Sequence, residues 1–144
     1  MTSISFELVT PEGLKLQEDV YEILVPTPNG QIGIFPHHMP LINIVTPGVI
    51  SVRKKEGDPD ANLEHLATSG GLMEIDGKRA RLLADTAERA EDINEMHAKE
   101  ALERAMEMQK TAKDQVSLAE ATSVIEQSMA RLKVAELRRK KHRV

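Results

Sequence analysis

The chain has 144 residues, a net charge of −4 at neutral pH and no cysteine, which excludes disulfide frameworks and thiolate chemistry. No apolar run approaches the roughly 18 residues of a membrane-spanning helix, and residues 1–10 carry Glu7 and no basic residue, unlike a secretory signal. With Phe6, Tyr21 and Phe35 as its only aromatics, the chain reads as a soluble protein with an aliphatic core and little to offer base-stacking nucleic-acid recognition.

In chain order, Ile4-Ser5-Phe6-Glu7-Leu8-Val9 alternates with the period of a half-buried strand, and Thr10–Gly13 turns it. Val20–Val25 reads as a second strand, stopped by Pro26 and Pro28. Asn29-Gly30 signals a hairpin turn into Gln31–Phe35. Leu41–Val45 and Val49–Arg53 flank Pro47-Gly48, and a polar loop follows from Lys54 to Asn62. Leu63–Ser69 and Leu72–Ile75 come next, and Asp76-Gly77 turns the chain into Arg79–Ala84. Short strands with turn signals at this spacing predict an antiparallel sandwich or barrel. No helical period intervenes, which argues against a βαβ fold.

All eight glycines and all seven prolines lie at or before Gly77. Their loss marks a switch to helix. A first helix is expected from an Asn94 cap to about Lys110, with the stripe Ala98, Ala101, Leu102, Ala105, Met108 and Ala112. Glu95/Lys99 and Glu100/Arg104 have the spacing of helix-surface ion pairs. After a polar link, Ser117 with Glu120 forms a capping-box signature for a second helix, whose seam is Leu118, Ala121, Ile125, Ser128, Leu132 and Ala135. The expected fold is α+β, an N-terminal antiparallel β-sandwich (residues 1–88) followed by a C-terminal antiparallel two-helix hairpin (residues 89–144), with a hinge at Ala87–Asn94. Alanine-rich seams bury little area, so the hairpin is expected to dock with only a few kcal/mol. Residues 131–144 carry seven Lys or Arg against the single Glu136 on an otherwise acidic chain. That charge suits a helix C-terminus and equally an acidic partner or polyanion.

Catalytic constellations are absent from the pattern. Gly30-Gln31-Ile32-Gly33 lacks the third glycine and following helix of a dinucleotide fingerprint, and Ser69-Gly70-Gly71 lacks the continuation of a phosphate-binding loop. The latter reads as a bulge or a close backbone approach. His37 and His38 point apart on an extended chain and have no further ligands at metal-site spacing. No nucleophile is paired with a base. Pattern alone therefore reaches a non-catalytic interaction protein with a helical arm, such as an adaptor in a larger assembly. No catalytic residue and no metal is expected.

The stretch Gly33-Ile34-Phe35-Pro36-His37-His38-Met39-Pro40-Leu41, then Pro47-Gly48, resembles the epsilon subunit of rotary ATP synthases. That family typically reads Gly-Ile-hydrophobic-Pro-Gly-His-Ala-Pro-Leu, with Pro-Gly shortly after. The likeness continues through Ser69-Gly70-Gly71-Leu72-Met73-Glu74-Ile75 and Leu83-Ala84-Asp85-Thr86-Ala87-Glu88-Arg89-Ala90, in order and over nearly the whole chain. It implies a flattened sandwich that joins the gamma subunit to the membrane ring of c subunits, coupling proton flow to ATP synthesis at the cytoplasmic face of a bacterial inner membrane. It also implies a hairpin that either folds onto the sandwich or extends along gamma and blocks rotation in the hydrolysis direction. The family's ring-facing loops fall on Asn29, Gly30, Gln31 and His38, and the basic Arg138-Arg139-Lys140-Lys141 run would meet an acidic surface of the beta subunits.

Some bacterial relatives bind ATP between the two helices through an Ile/Leu-Asp-x-x-Arg-Ala motif and further arginines on the second helix. Here the segment reads Ile93-Asn94-Glu95-Met96-His97-Ala98, with Asn94 for the aspartate and His97 for the arginine. Gln127 stands at one expected basic position, and Arg131 remains at another. An imidazole does not replace bidentate guanidinium geometry. No cofactor is therefore expected.

Overall fold

The computed structural model describes residues 2–142. Ten strands form two five-stranded sheets. One has the order β2-β1-β9-β8-β5, with β1 Ile4–Thr10, β2 Gly13–Val20, β5 Leu41–Val45, β8 Gly71–Ile75 and β9 Arg79–Ala84. The other has the order β10-β7-β6-β3-β4, with β3 Glu22–Thr27, β4 Gly30–Ile34, β6 Gly48–Arg53, β7 Glu64–Thr68 and β10 Ala87–Arg89. Helices α1 (Glu95–Thr111) and α2 (Gln115–His142) follow.

Alternation builds the core. Ile4, Phe6 and Leu8 on β1 meet Met73, Ile75, Ala80 and Leu82 within one sheet, and face Ile23, Val25, Ile34, Ile50, Val52 and Leu66 from the other. Each of these side chains is buried, so a one-residue slip of any strand would place its apolar set in water.

Several local expectations change. One pairing in the sandwich is parallel, because β1 runs beside β9 from Ser5↔Arg79 to Val9↔Leu83. Strand β2 is not apparent from pattern because Glu18 and Asp19 interrupt its apolar alternation, which an edge strand tolerates. Strand β3 runs through Pro26 to Thr27. Its pairing to β6 ends at Leu24, so the missing N–H of Pro26 costs no ladder bond, and the Pro26 carbonyl accepts from the Thr46 N–H at 3.0 Å. Thr27 pairs with Gly30, which makes Pro28-Asn29 the two-residue loop and places Gly30, at φ 118°, in the strand.

Gly71 makes the close approach its motif suggested: a Cβ there would lie 2.0 Å from the Leu83 carbonyl oxygen. Phe35–His38 is a turn closed by the His38 N–H on the Phe35 carbonyl at 3.2 Å. Its second central residue, His37, has φ 66°. That is the position where a type II turn favours glycine.

Asn94 caps α1 as expected, its side chain accepting from the His97 N–H at 3.1 Å. The second cap is different. α2 begins two residues before Ser117, and Asp114 accepts the Ser117 N–H at 2.7 Å. Those backbone donors hold the Asp114 carboxyl below its ordinary range. Glu95 does not bridge to Lys99; it binds Arg139 across the hairpin, and this hydrogen bond lowers its pKa.

The hairpin lies folded on the outer face of the second sheet. Ala130 and Val134 of α2 pack on Ala67, with Val49, Ala90 and Ile93 around them. Along α1 only Ala98 and Ala105 are fully buried, and Met108, expected in its stripe, is 51% exposed. The contact is small and alanine-rich.

Candidate partner interfaces

The outer face of the second sheet carries Val49 and Ser51 from β6, His65 and Ala67 from β7, and Glu88 from β10, all beneath α2. Arg131 on α2 reaches Glu88, its Nε 3.0 Å from one carboxylate oxygen and an Nη 3.4 Å from the other. The Nε pair is off the line of its N–H, so this is a loose ion pair rather than a fork. Further along, His65 lies half-buried with its Nδ1 2.8 Å from Ser51 Oγ. A cavity of about 210 Å³ opens beside it, lined by Glu18, Glu64, Arg89, Glu91, Arg138 and Lys141 among others. Burial first, then the Lys141 and Lys133 charges, push the His65 pKa below its ordinary 6.5.

The residues of the altered nucleotide motif have other duties. Ile93 packs in the helix–sandwich contact, Asn94 caps a helix, Ala98 is fully buried and His97 is exposed. Arg131 is engaged by Glu88, beside a cavity of about 170 Å³ that also holds Gln127 and Ser128. That volume falls below the roughly 300 Å³ at which ligand pockets begin.

Asn29, Gly30 and Gln31 are exposed at the β3–β4 loop. His38 lies past the other end of β4, next to the β8–β9 turn, where its Nδ1 is 2.7 Å from the Met39 carbonyl oxygen and the His37 N–H donates to the Gly77 carbonyl at 3.0 Å. Asn29 and Gly30 stand at the start of β4, and His38 follows its end. Arg138, Arg139, Lys140 and Lys141 lie exposed on the last turns of α2. Arg139 is held by Glu95 and Lys140 is 3.0 Å from Glu136, while Arg138 and Lys141 line the cavity beside His65.

One surface was not anticipated. Across the outer face of the first sheet, register aligns Ile44, Leu72, Leu83, Val9 and Leu14 in a row five strands wide. Ile44 is 60% and Leu14 56% exposed, and Ile42 and Met39 extend the apolar surface at the β5 edge. The adjacent row holds a buried carboxylate: Glu7 accepts from Arg81 Nε at 2.9 Å and from Gln17 Nε2 at 3.3 Å. A continuous apolar row on the exposed face of a small sandwich is a candidate docking surface.

A family model described as ATP synthase, Delta/Epsilon chain, beta-sandwich domain, matches residues 3–90. The corresponding long alpha-helix domain matches residues 91–136. The chain belongs to the delta/epsilon-chain family of ATP synthases. The ATP synthase epsilon chain of Chloroflexus aggregans is 39% identical, over 97% of this chain and 97% of that protein. The epsilon chain of Moorella thermoacetica is 35% identical over 94% and 98%. Among solved structures, a chain of the Euglena gracilis mitochondrial ATP synthase (OSCP/F1/c-ring, rotational state 1) shares the fold with a TM-score of 0.75, at 21% identity over 93% of this chain and 81% of that one. A chain from the central stalk/c-ring of the Tetrahymena thermophila enzyme gives 0.60, at 13% identity over 92% and 96%.

As an epsilon chain, the protein is a non-catalytic stalk subunit of an ATP synthase. Among the described residues no helix is long and apolar enough to cross a membrane. The apolar row of this epsilon chain escapes a linear reading because its members come one per strand from five strands. Only sheet register assembles them. Strand alternation did offer a signal, since Ile42 and Ile44 sit on the face opposite buried Val45.

Proposed function

We propose that this chain works in the central stalk as two parts, a coupling body (residues 1–88) and a regulatory arm (residues 89–144). The body binds the gamma subunit through the outer face of its first sheet and meets the c-ring through end loops such as Asn29–Gln31. It thereby passes the torque of proton flow to ATP synthesis, held peripherally at the cytoplasmic face of the bacterial inner membrane. The arm restrains ATP hydrolysis when it leaves the sandwich and extends along gamma. In that posture α2 also parts from α1, which frees Arg139 from Glu95, and the Arg138–Lys141 run is available to an acidic surface of the beta subunits. The altered Ile93–Ala98 motif and the small cavity beside Arg131 favour an arm that works without bound nucleotide.

The observation that carries the coupling role is the exposed row from Ile44 to Leu14. Ile44 and Leu83 point away from the core, so a charge at either is tolerated by the free chain. The expected outcome is that Ile44→Asp and Leu83→Asp leave the chain folded by circular dichroism and abolish its copurification with gamma. Retention of gamma by the folded double variant would overturn this placement.

A further inference from the structure

The arm is folded down over a histidine, and the part of the arm above it is basic. His65 projects from β7 toward α2, half-buried, with Ser51 as its hydrogen-bond partner at 2.8 Å. From α2, Arg138 and Lys141 line the same cavity and the charge of Lys133 reaches the ring, and none of the three has an ion-pair partner among the described residues. Arg89 approaches from β10.

Carboxylates are also present: three on the sandwich side share Lys54 and Arg89, and one on α2 has its own lysine. Glu18 on β2 binds Lys54, and Glu64 on β7 lies 3.4 Å from the same Lys54 and 4.0 Å from Arg89. Glu91 lies 3.4 Å from Arg89, and Glu136 on α2 is held by Lys140. Arg53, next to Ser51 and His65 in the sheet, is likewise bound to Glu22 and Asp60. The local balance around the ring is therefore positive on the side the arm supplies.

We propose that His65 is a proton-operated release for the basic end of α2: a neutral ring lets the arm lie down, and a protonated ring repels it. Ser51 does not oppose the change, because its hydroxyl donates to neutral Nδ1 and can turn to accept from a protonated one. The docked state sets the new proton beside the unpaired cations of α2. Lifting α2 gives it solvent.

The sign follows from the lowered value in the docked state. Docking is at full strength above the ordinary histidine pKa of 6.5, weakens as pH falls through that value, and levels off below the docked-state pKa. Acidification thus raises the population of lifted arms. The docking claim stands on the structure of this chain alone. Its consequence, restraint of hydrolysis in an acidified compartment, rests on the regulatory reading above.

The chain has no cysteine, so single labels are easily placed. The test is a fluorescence-transfer pair on the full chain, with Glu56→Cys on the sandwich and Met129→Cys at an exposed, uncharged position of α2, titrated from about pH 8 to about pH 5.5. The expected result is a severalfold rise in the lifted-to-docked ratio on acidification. In His65→Asn, which keeps an acceptor for Ser51 without a titrating group, the ratio stays flat. In His65→Arg the arm is lifted throughout the range. A pH-independent ratio in the parent chain, an unchanged titration in His65→Asn, or an arm lifted at every pH in the parent would each overturn the proposal. Because the readout is docking, its failure is separate from any failure of the arm to affect hydrolysis.

Discussion

At the scale of single residues, the Phe35–His38 turn shows how chemistry and geometry can disagree at one position. Pro36 is well suited to the first central place of a type II turn, but His37 holds φ 66° without the freedom of glycine. A left-handed backbone costs a residue with a Cβ about 1–2 kcal/mol, partly offset by the greater unfolded-state entropy of glycine. His37→Gly is therefore expected to stabilise the sandwich by roughly 0.5–1 kcal/mol, read as a higher urea midpoint with an unchanged slope. A lower midpoint would show that the His37 side chain contributes more than its backbone strain costs. The strain was visible in the sequence only through likeness to a family that places glycine there. Gly71, in contrast, reads in the sequence as either a bulge or a close backbone approach, and the close approach of the Leu83 carbonyl is what the structure has.

At the scale of elements, periodicity recovered the strands whose alternation buries one face, such as β1 and β9, and the start of α1 at Asn94. It missed β2 and β10 because an edge strand need not be apolar on both sides of its pleat. The second cap went to Asp114 rather than Ser117, because either residue can accept an N–H three positions on and the pattern does not rank them. The arm is held mainly by Ala130 and Val134 on Ala67. An unpaired carboxylate buried there costs several kcal/mol, more than such a small apolar contact supplies. Val134→Asp is therefore expected to lift the arm and leave the sandwich intact. Amides of α1 and α2 would then exchange rapidly, while those of β1, β8 and β9 keep their protection. Loss of protection across both sheets would show instead that arm and sandwich unfold as one unit.

On the scale of the whole molecule, sandwich and arm meet through a small contact and the Arg131–Glu88 ion pair, while Arg139–Glu95 ties the two helices of the arm to each other. The expected hinge at Ala87–Asn94 is narrowed by β10, because Ala87–Arg89 pair with β7 and leave residues 90–94 to turn. A chain ending at Asp92 keeps every strand of both sheets. It is expected to assemble with gamma normally and to raise the ATP hydrolysis rate of the complex severalfold. Normal assembly with unchanged hydrolysis would remove the regulatory role from the arm. The architecture was readable because glycine and proline stop at Gly77 and apolar spacing changes soon after. The docking of the arm on the sandwich rests on a handful of alanines and charges, which do not show in that pattern.

The parallel pairing of β1 with β9 has a consequence during synthesis. Val9 pairs with Leu83, so a central strand made at the start of the chain has its second neighbour made last in that sheet. At a typical ribosomal pace the nascent β1 waits roughly 4–14 s, an apolar ribbon paired on one edge alone. Two-sided pairing of β1 is therefore expected only once Ala84 has emerged, and β10 completes the second sheet just ahead of the helical arm that covers it.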